Sequence, residues 1–191
     1  MYNWQVIDVS AYVYPVTLAE VKNYCQIDSD YTYDDDQLTL LMKASVAKLE
    51  QHTGLAFSLK TIQFTANEQV EYPITPVVNV VSVVDNDNVP LDVFYPQGLI
   101  YPVISFKQRP FPTYTVVYKA GYHDTDIING SLTYKANPLP DAIRAAILLL
   151  TRAYYDRAKL EASGDEKNAK VGNLDTTALL LVNEFKANPL F

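Results

Sequence analysis

Five aspartates fall within nine residues, Asp28, Asp30, Asp34, Asp35 and Asp36, and form the one carboxylate cluster in the sequence. Carboxylates this close could hold a hard divalent cation through their oxygens. A helix-loop-helix calcium loop needs glycine at its sixth position and a bidentate glutamate at its twelfth; counted from Asp28, those positions hold Tyr33 and Thr39. The run therefore reads as a solvated loop, YTYDDD included, leading into a charge box at a helix start, where carboxylates meet the positive end of the helix dipole.

The other chemically capable residues are scattered. His52 falls in the last turn of an expected helix and His123 in the turn after Gly121-Tyr122, with no cysteine or carboxylate at a matching ligand spacing. Cys25 is the single cysteine, which excludes an internal disulfide and reads as a small buried hydrophobe. No G-x-S-x-G elbow and no glycine-rich phosphate loop occurs, and the one serine beside a glycine turn is in Asn129-Gly130-Ser131. The chain is expected to be no enzyme, with no catalytic, cofactor-binding or metal-binding set.

Fifteen tyrosines remain to be explained. Tyr12, Tyr14, Tyr72, Tyr95, Tyr101, Tyr114, Tyr118, Tyr122, Tyr134, Tyr154 and Tyr155 could make a stacking or glycan surface, yet most sit at strand or helix spacing, where a half-buried ring at an edge or subunit contact is ordinary. The candidate subunit or partner interface comprises Tyr154, Tyr155, Leu179, Leu180, Leu181 and Phe185.

These residues must be positioned by a chain of 191 residues, enough for one sizeable core. Hydrophobics at 49% and charges at 19% describe a folded protein, and eleven prolines against six glycines favour stiff loops. A net charge of -7 and a pI near 4.7 argue against gripping nucleic acid by phosphate neutralisation. The opening MYNWQVIDVS lacks the basic and apolar regions of a signal peptide, and no uncharged apolar run approaches the roughly 20 residues of a membrane span.

The dominant element is Leu139–Leu160. Pro140 and Asp141 start a helix well, and from Ala142 to Leu150 the only polar residue is Arg144, so this helix should be wrapped by others and emerge toward its end. Thr17-Leu18-Ala19-Glu20 is a capping box for a short helix running to about Cys25. A second helix opens at 34–36, with Leu38, Leu41, Met42, Ser45, Val46 and Leu49 on its buried face and Gly54 as its left-handed stop.

Between Phe57 and Lys135 the period becomes strand-like and prolines forbid long helix. Strands are predicted near 59–65, 77–85, 91–95, 99–106 and 113–120, with hairpin turns at DNDN and at Pro96-Gln97-Gly98. Ala162–Asn173 reads as a loop, and a last helix runs from Asp175 to about Lys186. The fold class expected is α+β: a mainly helical body of two N-terminal helices, a long central helix and a short C-terminal helix, with an inserted small antiparallel β lobe. One domain, 1–191, is expected, with the body at about 15–56 and 138–187 and the insertion at about 57–135.

VTLAEVKNYCQID, then DDDQLTLLMKASVAKLEQHTGLAF, a proline-bearing β segment ending VVYKAGY, and LPDAIRAAILLLTRAYYDRA together resemble the head-tail connector (head-completion, or adaptor) proteins of tailed bacteriophages, from about Pro15 to Ala158. The resemblance implies a homo-oligomeric ring of about twelve copies, built from two different faces of each subunit. It also implies a place in the virion at the head-tail junction after synthesis in a bacterial cytoplasm, docking under the portal protein, a platform for the tail or a second adaptor, and a lumen that DNA crosses without specific binding. No membrane is involved. The reading from a different class is a ligand- or glycan-binding module using the tyrosine-rich β lobe; weaker still is an enzyme using the aspartates.

Overall fold

The computed structural model describes residues 3–8, 14–67, 72–91, 93–94, 105–106, 113–124, 126–129, 132–163 and 172–186. Its elements in order are β1 (Asn3–Asp8), α1 (Leu18–Cys25), α2 (Asp35–Thr53), β2 (Lys60–Ala66), β3 (Val77–Asp85), β4 (Val93–Phe94), β5 (Ser105–Phe106), β6 (Tyr114–Ala120), β7 (Ile127–Asn129), β8 (Leu132–Tyr134), α3 (Asp141–Ser163) and α4 (Gly172–Val182), followed by a 3-10 turn at Asn183–Phe185. The fold is α+β, with a long central helix and an antiparallel sheet. By contacts the chain divides into two compact units, Met1–Val13 with Gly54–Pro138, and Tyr14–Thr53 with Leu139–Phe191.

In the first unit, every second residue of β6 is buried, as a strand with one covered face requires. Tyr114, Val116 and Tyr118 lie opposite Ala66, Phe64 and Ile62 of β2, so both strands turn the same row inward. Phe64 packs edge-on to Tyr72, Tyr114 and Tyr118, and the Tyr118 hydroxyl both donates to the Ile74 carbonyl and accepts from the Ile74 N–H, each at 3.2 Å. The sheet order is β1-β2-β6-β3, antiparallel throughout.

Several local expectations change here. β1 was not foreseen: a strand exposed along its whole length carries no buried-face alternation to find. The DNDN turn forms, with the Asp85 carboxylate accepting the N–H groups of Asp87 and Val89 and Asn88 at φ 61°, but β3 pairs with β6 rather than with a strand after the turn. Past the turn only one bridge forms, Val84 to Pro90, flanked by the bonds from Asp85 N–H to the Val89 carbonyl and from Leu91 N–H to the Val83 carbonyl; Pro90 faces the bridge at a position where no N–H is required. The short pair β4–β5 stands where 91–95 and 99–106 were predicted, and Pro96-Gln97-Gly98 lies outside the described residues. The hairpin β7–β8 was also missed.

In the second unit the capping box forms as read: Glu20 N–H donates to Thr17 Oγ1 at 3.2 Å and Thr17 N–H to Glu20 Oε2 at 2.6 Å. Leu38, Met42, Ser45, Val46 and Leu49 are buried on α2, and Gly54 follows its end at φ 73°. α3 contacts α1, α2 and α4 and buries Ile143, Ala146, Ile147, Leu150 and Ala153 completely. It is not wrapped on every side, because Ala145 is exposed and Leu148 and Leu149 are half-buried. Its last turn takes in Ala162 and Ser163, and α4 begins at Gly172 rather than at Asp175.

Candidate interaction surfaces

The aspartate run, expected to stay out of the core, is divided in its roles. Asp34 is buried and accepts the Tyr155 hydroxyl through Oδ2, with the Lys159 ammonium 3.9 Å from the same oxygen and over the Tyr155 ring. Burial first, then the Asp34 bond and charge, pushes the Tyr155 phenol well above its usual range. Lys22, itself buried, sits 2.7 Å from Asp35 Oδ1 and donates to the Ser29 carbonyl at 3.1 Å. Asp28 accepts the Asp30 N–H, and Asp30 accepts the Ser29 hydroxyl, so these carboxylates shape the loop. The run is thus a set of clasps that fasten the α1–α2 connection to α1 and α3. The sequence held no local signal for this, since Tyr155 is 121 residues from Asp34. Among the described residues no three of His, Cys, Asp and Glu converge to hold a metal ion.

Cys25 is half-buried, and burial pushes its thiol up. His52 is half-buried in the last turn of α2. His123 closes a polar knot at the base of the β7–β8 hairpin: its ring nitrogens lie 3.3 Å from the Gly121 carbonyl and 3.1 Å from that of Lys135. Beside it Asp126 accepts the Lys135 ammonium at 2.9 Å and the Ala136 N–H at 2.8 Å, and these bonds hold its carboxyl below the usual range.

The tyrosines separate by position. Tyr72, Tyr114 and Tyr118 are core residues and offer no face to a ligand; Tyr14, Tyr122 and Tyr154 are half-buried. Tyr12, Tyr95 and Tyr101 lie outside the described residues, and Tyr134 is in β8. Among the described residues the exposed tyrosine rings are Tyr24, Tyr31 and Tyr33, the last two with centroids 6.4 Å apart beside the acidic loop.

Of the interface candidates, Tyr155 is turned inward, Tyr154 is half-buried on α3, and Leu179 and Phe185 are half-buried at the chain's last helical turns. α4 packs on α3 and α2, burying Ala178 and Val182, while Leu180 is 66% exposed and Leu181 lies beside it at the surface. Apolar exposure missed in the sequence lies on Leu40 of α2 and on Trp4, Val6 and Ile7 of β1. No helix among the described residues is long and apolar enough to cross a membrane.

No known protein family profile matches this chain, and no curated protein does. Solved structures do match in fold. A chain in the neck of an empty gene transfer agent particle computed with C6 symmetry superposes with a TM-score of 0.72 at 15% identity, covering 99% of this chain and 97% of that one. A chain of the virion of a native gene transfer agent particle gives 0.67 at 15% identity over 98% and 97%. A chain in the neck of the native particle computed with C12 symmetry gives 0.64 at 17% identity over 100% and 97%. The fold is common to these chains from end to end.

Proposed function

We propose that this chain is a structural subunit of the neck of a phage-like particle: a ring protein at the head-tail junction that docks under the portal and gives the tail or a second adaptor its platform. One observation carries the reading. The fold is shared over 99% of this chain and 97% of its counterpart with a chain in the neck of a gene transfer agent particle. The resemblance of four sequence segments, in the same order, to head-tail connector proteins supports the same conclusion independently.

Physical features agree with this role. The net charge of -7 suits a wall past which DNA moves without being held, since binding would require cations to replace the phosphate counterions. Leu180 and Leu181, with Tyr154, Leu179 and Phe185 at the margin and Tyr155 bracing α3 from within, form a contact row for a neighbouring subunit or partner. The chain works by assembly, without catalysis, cofactor or membrane, in the virion.

Deleting the gene from a producing strain tests the reading. DNA-filled heads and separate tails should accumulate, and supplying the protein in trans should join them. Normal particles from the deletion strain would refute it.

A further inference from the structure

The four-stranded sheet of the first unit ends on two unlike strands. Among the described residues β1 pairs only with β2, and along Val77–Ser82 β3 pairs only with β6, while 89–91 cover its far end through Asp85 N–H to the Val89 carbonyl and Leu91 N–H to that of Val83. Trp4 and Val6 lie opposite Phe64 and Ile62, so they prolong the sheet's apolar face, yet they are 45% and 38% exposed where Phe64 and Ile62 are 1% and 0%. On the other edge two bulges leave Val78 and Val81 without a partner in β6, and Val81 is 52% exposed.

We propose that β1 of one copy pairs antiparallel with the Val77–Ser82 edge of the next, so that the sheet continues from subunit to subunit. This rests on the neck-ring reading and names the surfaces that close the ring. Three observations fix the occupant as a second copy. Three antiparallel steps separate β1 from β3, so the two edges run in opposite directions and an incoming β1 prolongs the alternation. Asn3–Ile7 and Val77–Val84 carry no charge and no proline, the usual guards of an open edge; the only charges of the two strands, Asp8 and Asp85, stand at their last residues. Two different surfaces of one chain meeting head to tail is the contact that closes into a ring, whereas β1 meeting β1 stops at a pair.

The test mixes the chain with its portal and counts ring-bearing portals by electron microscopy. Val6→Lys and Val81→Lys place a charge on one edge each, at exposed sites; either alone should lower ring occupancy about tenfold or more, about 1.4 kcal/mol or more in the assembly equilibrium as a whole. Mixed in equal amounts without portal at high concentration, the two variants should give two-chain species, because each retains the edge the other lacks. Rings from both variants at wild-type occupancy would overturn the proposal, as would loss with Val6→Lys alone, which marks a β1–β1 contact. If wild type makes no ring on the portal, the neck reading itself fails and this proposal with it.

The wild-type chain supplies a readout independent of variant folding. Trp4 is the single tryptophan, so 5-fluorotryptophan in this chain alone gives one fluorine signal, whose solvent isotope shift should fall on assembly; an unchanged shift in formed rings would also overturn the proposal.

Discussion

Tyr155 donates its hydroxyl to Asp34 Oδ2 at 2.5 Å, joining the emerging half of the central helix to the entrance of α2 across 121 residues. The bond satisfies a buried carboxylate at the one point where the aspartate run turns inward. Tyr155→Phe keeps the ring and removes the donor, and is expected to cost about 1–3 kcal/mol, the range for orphaning a buried polar group. Urea titrations of the two proteins check this; equal midpoints would mean that the Lys159 ammonium alone suffices for Asp34.

Glu20 gives the acid limb a sign. Burial works against its charge, but the Thr17 N–H and hydroxyl and the Arg144 guanidinium hold its carboxyl below the ordinary 4.5. A group whose pKa is depressed on folding stabilises above its unfolded value and loses that contribution as pH falls through the folded one. Glu20→Gln should therefore be less stable than wild type at neutral pH and converge with it at pH values below the folded pKa. Denaturation midpoints across pH read this, and a gap that stays constant into strong acid would contradict it.

Gly121 follows β6 at φ 127°, and a Cβ there would lie 2.1 Å from the Ser58 carbonyl oxygen. Gly121→Ala meets backbone, which has no flexible end to move aside. Its cost is expected to exceed the roughly 1–2 kcal/mol of the left-handed penalty alone. A thermal melt within the error of wild type would show that the backbone at Ser58 shifts freely.

On α4, Leu180 and Val182 are two residues apart and opposite in burial. Leu180→Glu should leave the monomer melt within about 0.5 kcal/mol, as surface changes do, and impair assembly. Val182→Glu places a charge in a closed site and should destabilise the monomer itself. If Leu180→Glu assembles normally, α4 contributes only to its own unit.

Helices were legible where local physics decides them. The capping box at Thr17, the apolar face of α2 and the glycine at 54 each act within a few residues. β6 declared itself because one face is buried and its alternation is strict. What the sequence concealed depends on distant pairing: β1 has no buried row of its own, and β3 takes β6 as partner across a long connection instead of the strand beyond its turn. Asp34 looked like a surface charge because its partner, Tyr155, is brought to it by the fold. Among the interface candidates, Leu180 and Tyr155 look alike in sequence; only packing separates the exposed side chain from the buried one.

The central claim is that copies of this chain close into a ring on a portal. Cryo-electron microscopy of the purified protein mixed with its portal tests it most directly. The expected result is a cyclic layer beneath the portal in which each copy keeps the α+β fold described above. Bare portals beside free single chains, at protein concentrations up to the solubility limit, would contradict it.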